Sequence, residues 1–223
     1  MASCKDPRPA NERLIPMASE GFLPIAVSAF VAVYLGALGF GVTALFFGAV
    51  TVFLAFFFRD PERETPEQAG VVVSPADGKV VEVGVVHSSE FGSDEALKIS
   101  VFMTVFNVHV NRIPFDGRVA EISYHPGKFF SANLDKASRD NERNAVTLEI
   151  EGGRKLTVVQ VAGLIARRIV CKVHEGERLK RGERFGMICF GSRLDVYLPS
   201  DTRPAVAVGE KVLAGVSVLG HLT

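Results

Sequence analysis

No tryptophan occurs in this chain, and there are only three cysteines, Cys4, Cys171 and Cys189. They are scattered, with no Cys-x-x-Cys pair. That excludes a disulfide framework and a cysteine zinc site, and it suits a reducing compartment. Cys171 and Cys189 sit in apolar runs and are expected in a core. Neither sign of charge is in surplus: Lys+Arg and Asp+Glu number 25 each. A nucleic-acid binder would usually carry a basic excess. The sharpest absence is local, since no charged residue occurs from Phe22 to Phe58.

That uncharged run is too long for a signal-peptide core and ends without a small-residue cleavage site. As one helix it would extend about 55 Å at ~1.5 Å per residue, against a hydrocarbon core of ~30 Å. Two helices, about 22–38 and 42–58, hinged at Gly39-Phe40-Gly41, fit better. Lys5, Arg8 and Arg13 precede the run, and Arg59 and Arg63 follow it. The positive-inside bias then places both ends on the cytoplasmic side of a cell membrane. A buried hairpin in a soluble core and a re-entrant hairpin within one leaflet are the other readings. Residues 1–20 read as a polar tail, and 59–70, with Asp60-Pro61 and Thr65-Pro66, as a linker.

From Val71 to the end, β-branched runs alternate with Gly, Pro and Asn. The runs 71–74, 79–86, 96–105, 108–113, 118–124, 146–150, 155–162 and 167–173 have the spacing of an all-β sandwich or barrel. The fold class expected is mainly β, with a barrel-sandwich-like domain after an apolar helical hairpin. Residues 129–144 form the one long irregular stretch, with a helical turn expected near Leu134–Arg139. A weak repeat follows. Gly176, Leu179 and Gly182 stand at the same spacing as Gly209, Val212 and Gly215, each set a tight turn leading into a strand. It resembles the hairpins of biotinyl/lipoyl-type domains.

Between the two repeat units lies Phe185-Gly-Met-Ile-Cys-Phe-Gly-Ser-Arg-Leu-Asp-Val-Tyr-Leu-Pro199. Two apolar runs, 187–190 and 194–198, meet at Gly191-Ser192. On turn chemistry alone a Gly-Ser pair there is a turn or bulge. The other reading is self-processing. The Ser192 hydroxyl attacks the Gly191 carbonyl, and the amide becomes an ester. β-Elimination releases Gly191 as a carboxylate and leaves dehydroalanine at 192. One water then converts that residue to a pyruvoyl group and frees ammonia. A pyruvoyl ketone forms a Schiff base with an amine and acts as an electron sink.

Phe190-Gly-Ser-Arg-Leu-Asp-Val-Tyr-Leu-Pro199 resembles the processing site of the short, archaeal-type class of phosphatidylserine decarboxylase proenzymes. The longer class has Leu-Gly-Ser-Thr, so Arg193 departs from that form. Ser74-Pro-Ala-Asp-Gly78, Phe106-Asn-Val-His-Val-Asn-Arg-Ile-Pro114, Tyr124-His-Pro-Gly-Lys-Phe-Phe-Ser-Ala-Asn133 and Asn141-Glu-Arg143 look like further family blocks, in family order. The resemblance covers roughly residues 59–223. It implies self-cleavage between Gly191 and Ser192 into a β chain, 1–191, and an α chain, 192–223. It further implies a pyruvoyl cofactor made from Ser192, no metal or diffusible cofactor, and decarboxylation of phosphatidylserine to phosphatidylethanolamine at a membrane.

Serine attack needs a base, commonly a histidine oriented by a carboxylate. His109, on a valine-flanked run, reads by itself as a core histidine, and the resemblance makes it the first candidate. The matching block of the longer class is His-x-x-His, and Arg112 stands where the second histidine would be. His125 is the reserve, otherwise a turn residue before proline. His87, reading as part of a polar loop, His174 and His221 rank below. Asp77 reads as a turn aspartate, and the resemblance implies it is the orienting carboxylate. His109 would also return the proton after loss of CO₂. Lys128, Arg112, Arg143 and Arg193 are possible partners of a lipid phosphate, with no substrate-binding residue fixed. Two other functions fit the residues: a membrane-tethered lipoyl-like binding module without chemistry, and a pyruvoyl decarboxylase of a soluble amino acid. The expected partners are the phospholipid, the membrane and the chain's own cleavage fragment, in a heterodimer or higher oligomer, with no nucleic acid.

Overall fold

The computed structural model describes residues 16–88, 93–130, 140–164, 168–189 and 191–222. The helical turn expected near Leu134–Arg139 lies outside them. The chain divides into two compact units, with the boundary between Glu62 and Arg63.

In the first unit, α1 spans Phe22–Ala37 and α2 spans Gly41–Phe57, each within one residue of its expected limits. The turn between them passes through Gly39 at φ +84°, a conformation costly for other residues. With no charge available, Ser28 and Thr51 join the two helices. Ser28 Oγ donates to the Phe47 carbonyl at 3.1 Å, and Thr51 Oγ1 donates to Ser28 Oγ at 3.0 Å. Such pairs join helices where no water competes. At the open end, Met17 and Arg59 form an antiparallel bridge. The outer surface is apolar: Val42 is 85% exposed, Leu45 76% and Phe30 70%. A core hairpin would bury these side chains, so this surface suits lipid instead. Ser19–Ala37 is long and apolar enough to cross a membrane.

The second unit is built from strands: β1 (Val71–Val73), β2 (Gly78–Ser88), β3 (Ser93–Met103), β4 (Val110–Arg112), β5 (Gly117–His125), β6 (Arg143–Glu149) and β7 (Lys155–Val161), then β8 (Ile169–Cys171), β9 (Arg178–Leu179), β10 (Arg184–Ile188), β11 (Ser192–Pro199), β12 (Arg203–Pro204), β13 (Lys211–Val212) and β14 (Val218–His221). The fold is mainly β, as the alternating pattern predicts. One sheet has the order β13-β2-β3-β11-β7-β6-β5-β9, and two smaller ones are β1-β14-β12 and β4-β10-β8. The large sheet curls into a half-barrel. Its concave filling includes Val80, Ile99, Val101, Val146, Leu148, Val158, Phe185, Leu194 and Val196. Two details differ from the sequence reading. His87 lies within β2 rather than in a loop, because β2 continues to Ser88. Cys171 and Cys189 are half-buried rather than core.

The repeat is real in three dimensions, and larger than its glycines suggest. β9 and β13 are its two short strands, and they form the two edges of the large sheet. β13 pairs with Gly78-Lys79, and β9 with Gly117-Arg118. Those partners are themselves repeated as Pro75-Ala-Asp-Gly-Lys-Val80 and Pro114-Phe-Asp-Gly-Arg-Val119. Asp77 Oδ1 accepts the Ala214 N–H at 2.7 Å, and Asp116 Oδ1 accepts the Arg181 N–H at 2.7 Å. Gly215 N–H donates to the Ser74 carbonyl at 2.8 Å, as Gly182 N–H does to Ile113 at 2.8 Å. The unit is thus two related halves, with β11 and β7 meeting at the centre.

Gly78 shows how tightly β2 packs against β3. A Cβ there would stand 2.2 Å from the Phe102 carbonyl oxygen, a clash with backbone that cannot swing away. Gly78→Ala is expected to destabilise the second unit by about 3 kcal/mol or more. Chemical unfolding of the full chain in detergent measures this. A change below about 1 kcal/mol would contradict the close approach.

Candidate active site

β11 is the most buried strand of the sheet. It pairs along its whole length with β3, from Ser192↔Met103 to Pro199↔Ala96, and with β7 from Arg193↔Val161 to Tyr197↔Thr157. Alternation sends Leu194, Val196 and Leu198 into the main core. Ser192 shares that parity. It is fully buried, and its Oγ has no hydrogen-bond partner among the described residues. A buried hydroxyl without a partner costs roughly 1–3 kcal/mol. Gly191, immediately before it, sits at φ +65° with open space where a Cβ would be. The pair therefore lies at the mouth of a central strand and not in a surface turn.

The other face of β11 carries charge. Arg193 Nε lies 2.8 Å from Asp195 Oδ1, with the two side chains 2% and 1% exposed. Arg193 Nη2 donates to Asp195 Oδ2 at 3.1 Å. Lys98 Nζ stands 3.9 Å from Asp195 Oδ2 and 2.7 Å from Glu82 Oε2. This group explains the Arg-x-Asp that follows the serine: positions two apart on a strand share a face.

His109 precedes β4. It is fully buried, and its carbonyl accepts the Ile188 N–H at 3.4 Å. Its neighbour Asn111 joins a buried amide chain. Gln160 Nε2 donates to Asn111 Oδ1 at 2.9 Å, and Asn144 Nδ2 donates to Gln160 Oε1 at 3.0 Å. Asn111 Nδ2 reaches Met103 Sδ at 3.9 Å, and Met103 is the residue opposite Ser192. Nothing in the sequence patterning singles out this chain of amides. The other histidines differ. His87 and His174 have side chains 80% and 68% exposed, His221 is exposed, and His125 Nε2 is 3.0 Å from Ser123 Oγ.

Asp77 stands at the Ser192 end of the sheet, since Gly78 packs against Phe102 beside Met103. Its Oδ1 is held by the Ala214 N–H, and its Oδ2 by Arg63 Nη2 at 2.9 Å. In this uncleaved chain the carboxylate is thus directed to Arg63 and Ala214 rather than to His109. Arg63 was not expected at the site, because it lies in the linker. The sequence offers no signal for a contact spanning such a loop.

Of the four basic candidates for a phosphate, two are used within the fold. Arg112 is 3% exposed and donates to the Gly182 carbonyl at 3.0 Å, and Arg193 is paired as above. Lys128 is exposed and Arg143 half-buried. Burial pushes the Cys171 thiol up, partly offset by hydrogen bonding to Val173 and Asn144, so it is a poor nucleophile. A groove of about 1080 Å³ lies at the far end of the sheet, lined by Asp116, Arg118, Glu149, Arg178 and Arg181, and holds none of these residues.

The buried ion pair makes a quantitative prediction. In a Ser192→Ala background, which keeps the chain whole if Ser192 is the nucleophile, Arg193→Met should cost about 3–5 kcal/mol by stranding Asp195. Adding Asp195→Leu should recover most of that loss. Urea unfolding measures both, and an additive double variant would contradict the pairing.

Comparison with known proteins follows the same residues. The family model described as "Phosphatidylserine decarboxylase" matches residues 50–220. A protein of Syntrophus aciditrophicus named phosphatidylserine decarboxylase proenzyme is 57% identical over 170 residues, covering 76% of this chain and 80% of its own. Proteins of the same name from Geotalea uraniireducens and Paraburkholderia xenovorans are 50% and 51% identical over 207 residues. They cover 93% and 92% of this chain, and 97% of each relative. The range matched by the family model includes Asp77, His109, Gly191 and Ser192, and on these matches the chain belongs to the phosphatidylserine decarboxylase family.

Proposed function

We propose that this chain is the precursor of a membrane enzyme that removes the carboxylate of phosphatidylserine, leaving phosphatidylethanolamine. The observation that carries this reading is the buried, unsatisfied Ser192 Oγ directly after a left-handed Gly191 at the start of the central strand. Self-cleavage there gives chains 1–191 and 192–223. The second keeps β11 between β3 and β7, β13 on β2 and β14 on β1. Strand pairing and burial hold the two chains together after the backbone breaks.

The residues present fit a pyruvoyl group at position 192. The Ser192 side chain is buried, the preceding residue leaves open space, and no described group ties the hydroxyl down. When formed, the ketone would condense with the substrate amine and accept the electron pair released with CO₂. The chain's own side chains supply the rest. His109 takes the Ser192 proton during self-cleavage and later returns a proton to the decarboxylated carbon, being the one fully buried histidine. Asp77, fixed through one oxygen by Ala214 and through the other by Arg63, orients that histidine once Arg63 gives way. Of the four candidate cations, Lys128, which is exposed, and Arg143, which is half-buried, are the two assigned to the phosphate. The apolar hairpin keeps the enzyme at the membrane that contains its substrate, with the second unit on the cytoplasmic side.

Three variants test the roles. Ser192→Ala should abolish both chain cleavage on a denaturing gel and release of CO₂ from carboxyl-labelled phosphatidylserine. Asp77→Asn and His109→Gln should slow cleavage by at least ~10²-fold, the scale of a lost general base. Cleavage at the normal rate in His109→Gln would remove His109 from the role of base. Activity on free serine but none on phosphatidylserine would favour a soluble amino-acid substrate.

A further inference from the structure

The register of the large sheet sorts its surface into two unlike ends. Ser192, Met103, Val161, Arg143 and His125 mark one end, and Pro199, Ala96, Lys155, Glu149 and Arg118 the other. The ends are about 23 Å apart along β11, at ~3.3 Å per residue. Outside the hairpin, the exposed large apolar residues described are Val85, Phe106, Tyr124, Phe130, Leu164, Val208 and Leu213. Five of these lie at the Ser192 end. Phe106 is in the loop leaving β3, Tyr124 and Phe130 are at and beyond the end of β5, Leu164 follows β7, and Leu213 follows β13. The opposite end presents Glu149, Glu151, Lys155 and Asp201. Loops facing water alone would not concentrate phenylalanine and leucine at one end.

We infer that this end of the second unit is a membrane-docking surface whose occupant is an anionic phospholipid bilayer. The inference rests on the phosphatidylserine reading above. Its Phe106, Phe130 and Leu164 tips belong to the second unit and not to the hairpin. Phe106 is 66% exposed and Leu164 62% exposed, so each can enter the acyl boundary without unfolding anything. Lys128 Nζ lies 5.8 Å from the Phe130 ring centroid, an apolar body beside a cation, as the headgroup boundary favours. At this end the exposed cations Lys79, Lys128, Arg168 and Lys211 outnumber the exposed acids Glu64, Asp140 and Glu210 among the described residues. That excess complements a negatively charged leaflet. The chain also enters this unit here, since Arg63, its first residue, is bonded to Asp77. A surface of this kind would bring a headgroup to the Ser192 end while its acyl chains stay in the bilayer.

The lack of tryptophan makes the test clean, because any indole emission comes from an introduced reporter. Phe106→Trp, Phe130→Trp and Leu164→Trp are made singly in the full chain, with His87→Trp at the opposite end as control. Each is reconstituted into phosphatidylserine/phosphatidylcholine vesicles with brominated acyl chains. The three reporters should be quenched at least about threefold more than the control. Quenching no greater than the control overturns the inference. Blue-shifted emission without quenching means that protein, such as a second copy, covers the surface, and also overturns it. An activity arm is independent. Phe106→Ser/Leu164→Ser should lose at least about fivefold of the activity on vesicles and keep it on monomeric short-chain phosphatidylserine. An equal loss on both substrates overturns the docking role. If the unaltered chain decarboxylates neither substrate, the functional reading fails while lipid quenching still decides the surface.

Discussion

The constraint on which this structure depends is the double pairing of β11. A strand hydrogen-bonded on both sides and buried on both faces has no freedom to slip by one residue. A slip would carry Leu194, Val196 and Leu198 out of the core and push Arg193 and Asp195 into it. That register fixes Ser192 as the first paired residue and leaves Gly191 outside the ladder. The left-handed glycine and the unsatisfied hydroxyl are thus placed by the strongest pairing in the molecule. The cost of the buried hydroxyl is local, and a whole sheet sustains it.

The same pairing reconciles breaking the backbone with keeping the fold. Each strand after residue 191 hydrogen-bonds to a strand of its own segment or of the earlier one, and β11 lies between β3 and β7. Cutting the chain before β11 removes one covalent link and no ladder. The duplicated architecture contributes here. β13, beyond the cut, mirrors β9, before it, so each half of the sheet is closed at its edge by a short strand ending in a glycine turn. Asp77 and Asp116 occupy equivalent places, and each accepts a backbone N–H of the facing turn. Only Asp77 stands at the end where Ser192 lies. One repeated turn device therefore serves as scaffold in one half and as candidate chemistry in the other.

Much of this was legible in the residues. The charge-free run and its glycine break gave the hairpin to within a residue, because helix limits there follow the glycine turn and the flanking charges. The β-branched runs gave the longer strands, since alternating burial is a local property. Two-residue strands such as β9 and β13 are too short for any periodicity, and only the repeated glycine turns signalled them. Gly191-Ser192 was legible as a junction, but Ser192 belongs to the strand, and its burial depends on β3 and β7. The Arg193–Asp195 pair, the Asn144–Gln160–Asn111 chain and the Arg63–Asp77 contact could not be read in advance. Each joins groups that only the folded sheet brings together, and exposed Arg and Asp residues carry the same letters as buried ones.

The proposed chemistry turns on the identity of position 192 in the mature protein. Intact mass spectrometry of the purified, denatured protein addresses it directly. Two polypeptides are expected, residues 1–191 and 192–223, the second lacking an α-amine and gaining the mass of a carbonyl reagent. A single polypeptide of 223 residues, with an ordinary serine at 192 and no reaction with that reagent, would contradict it.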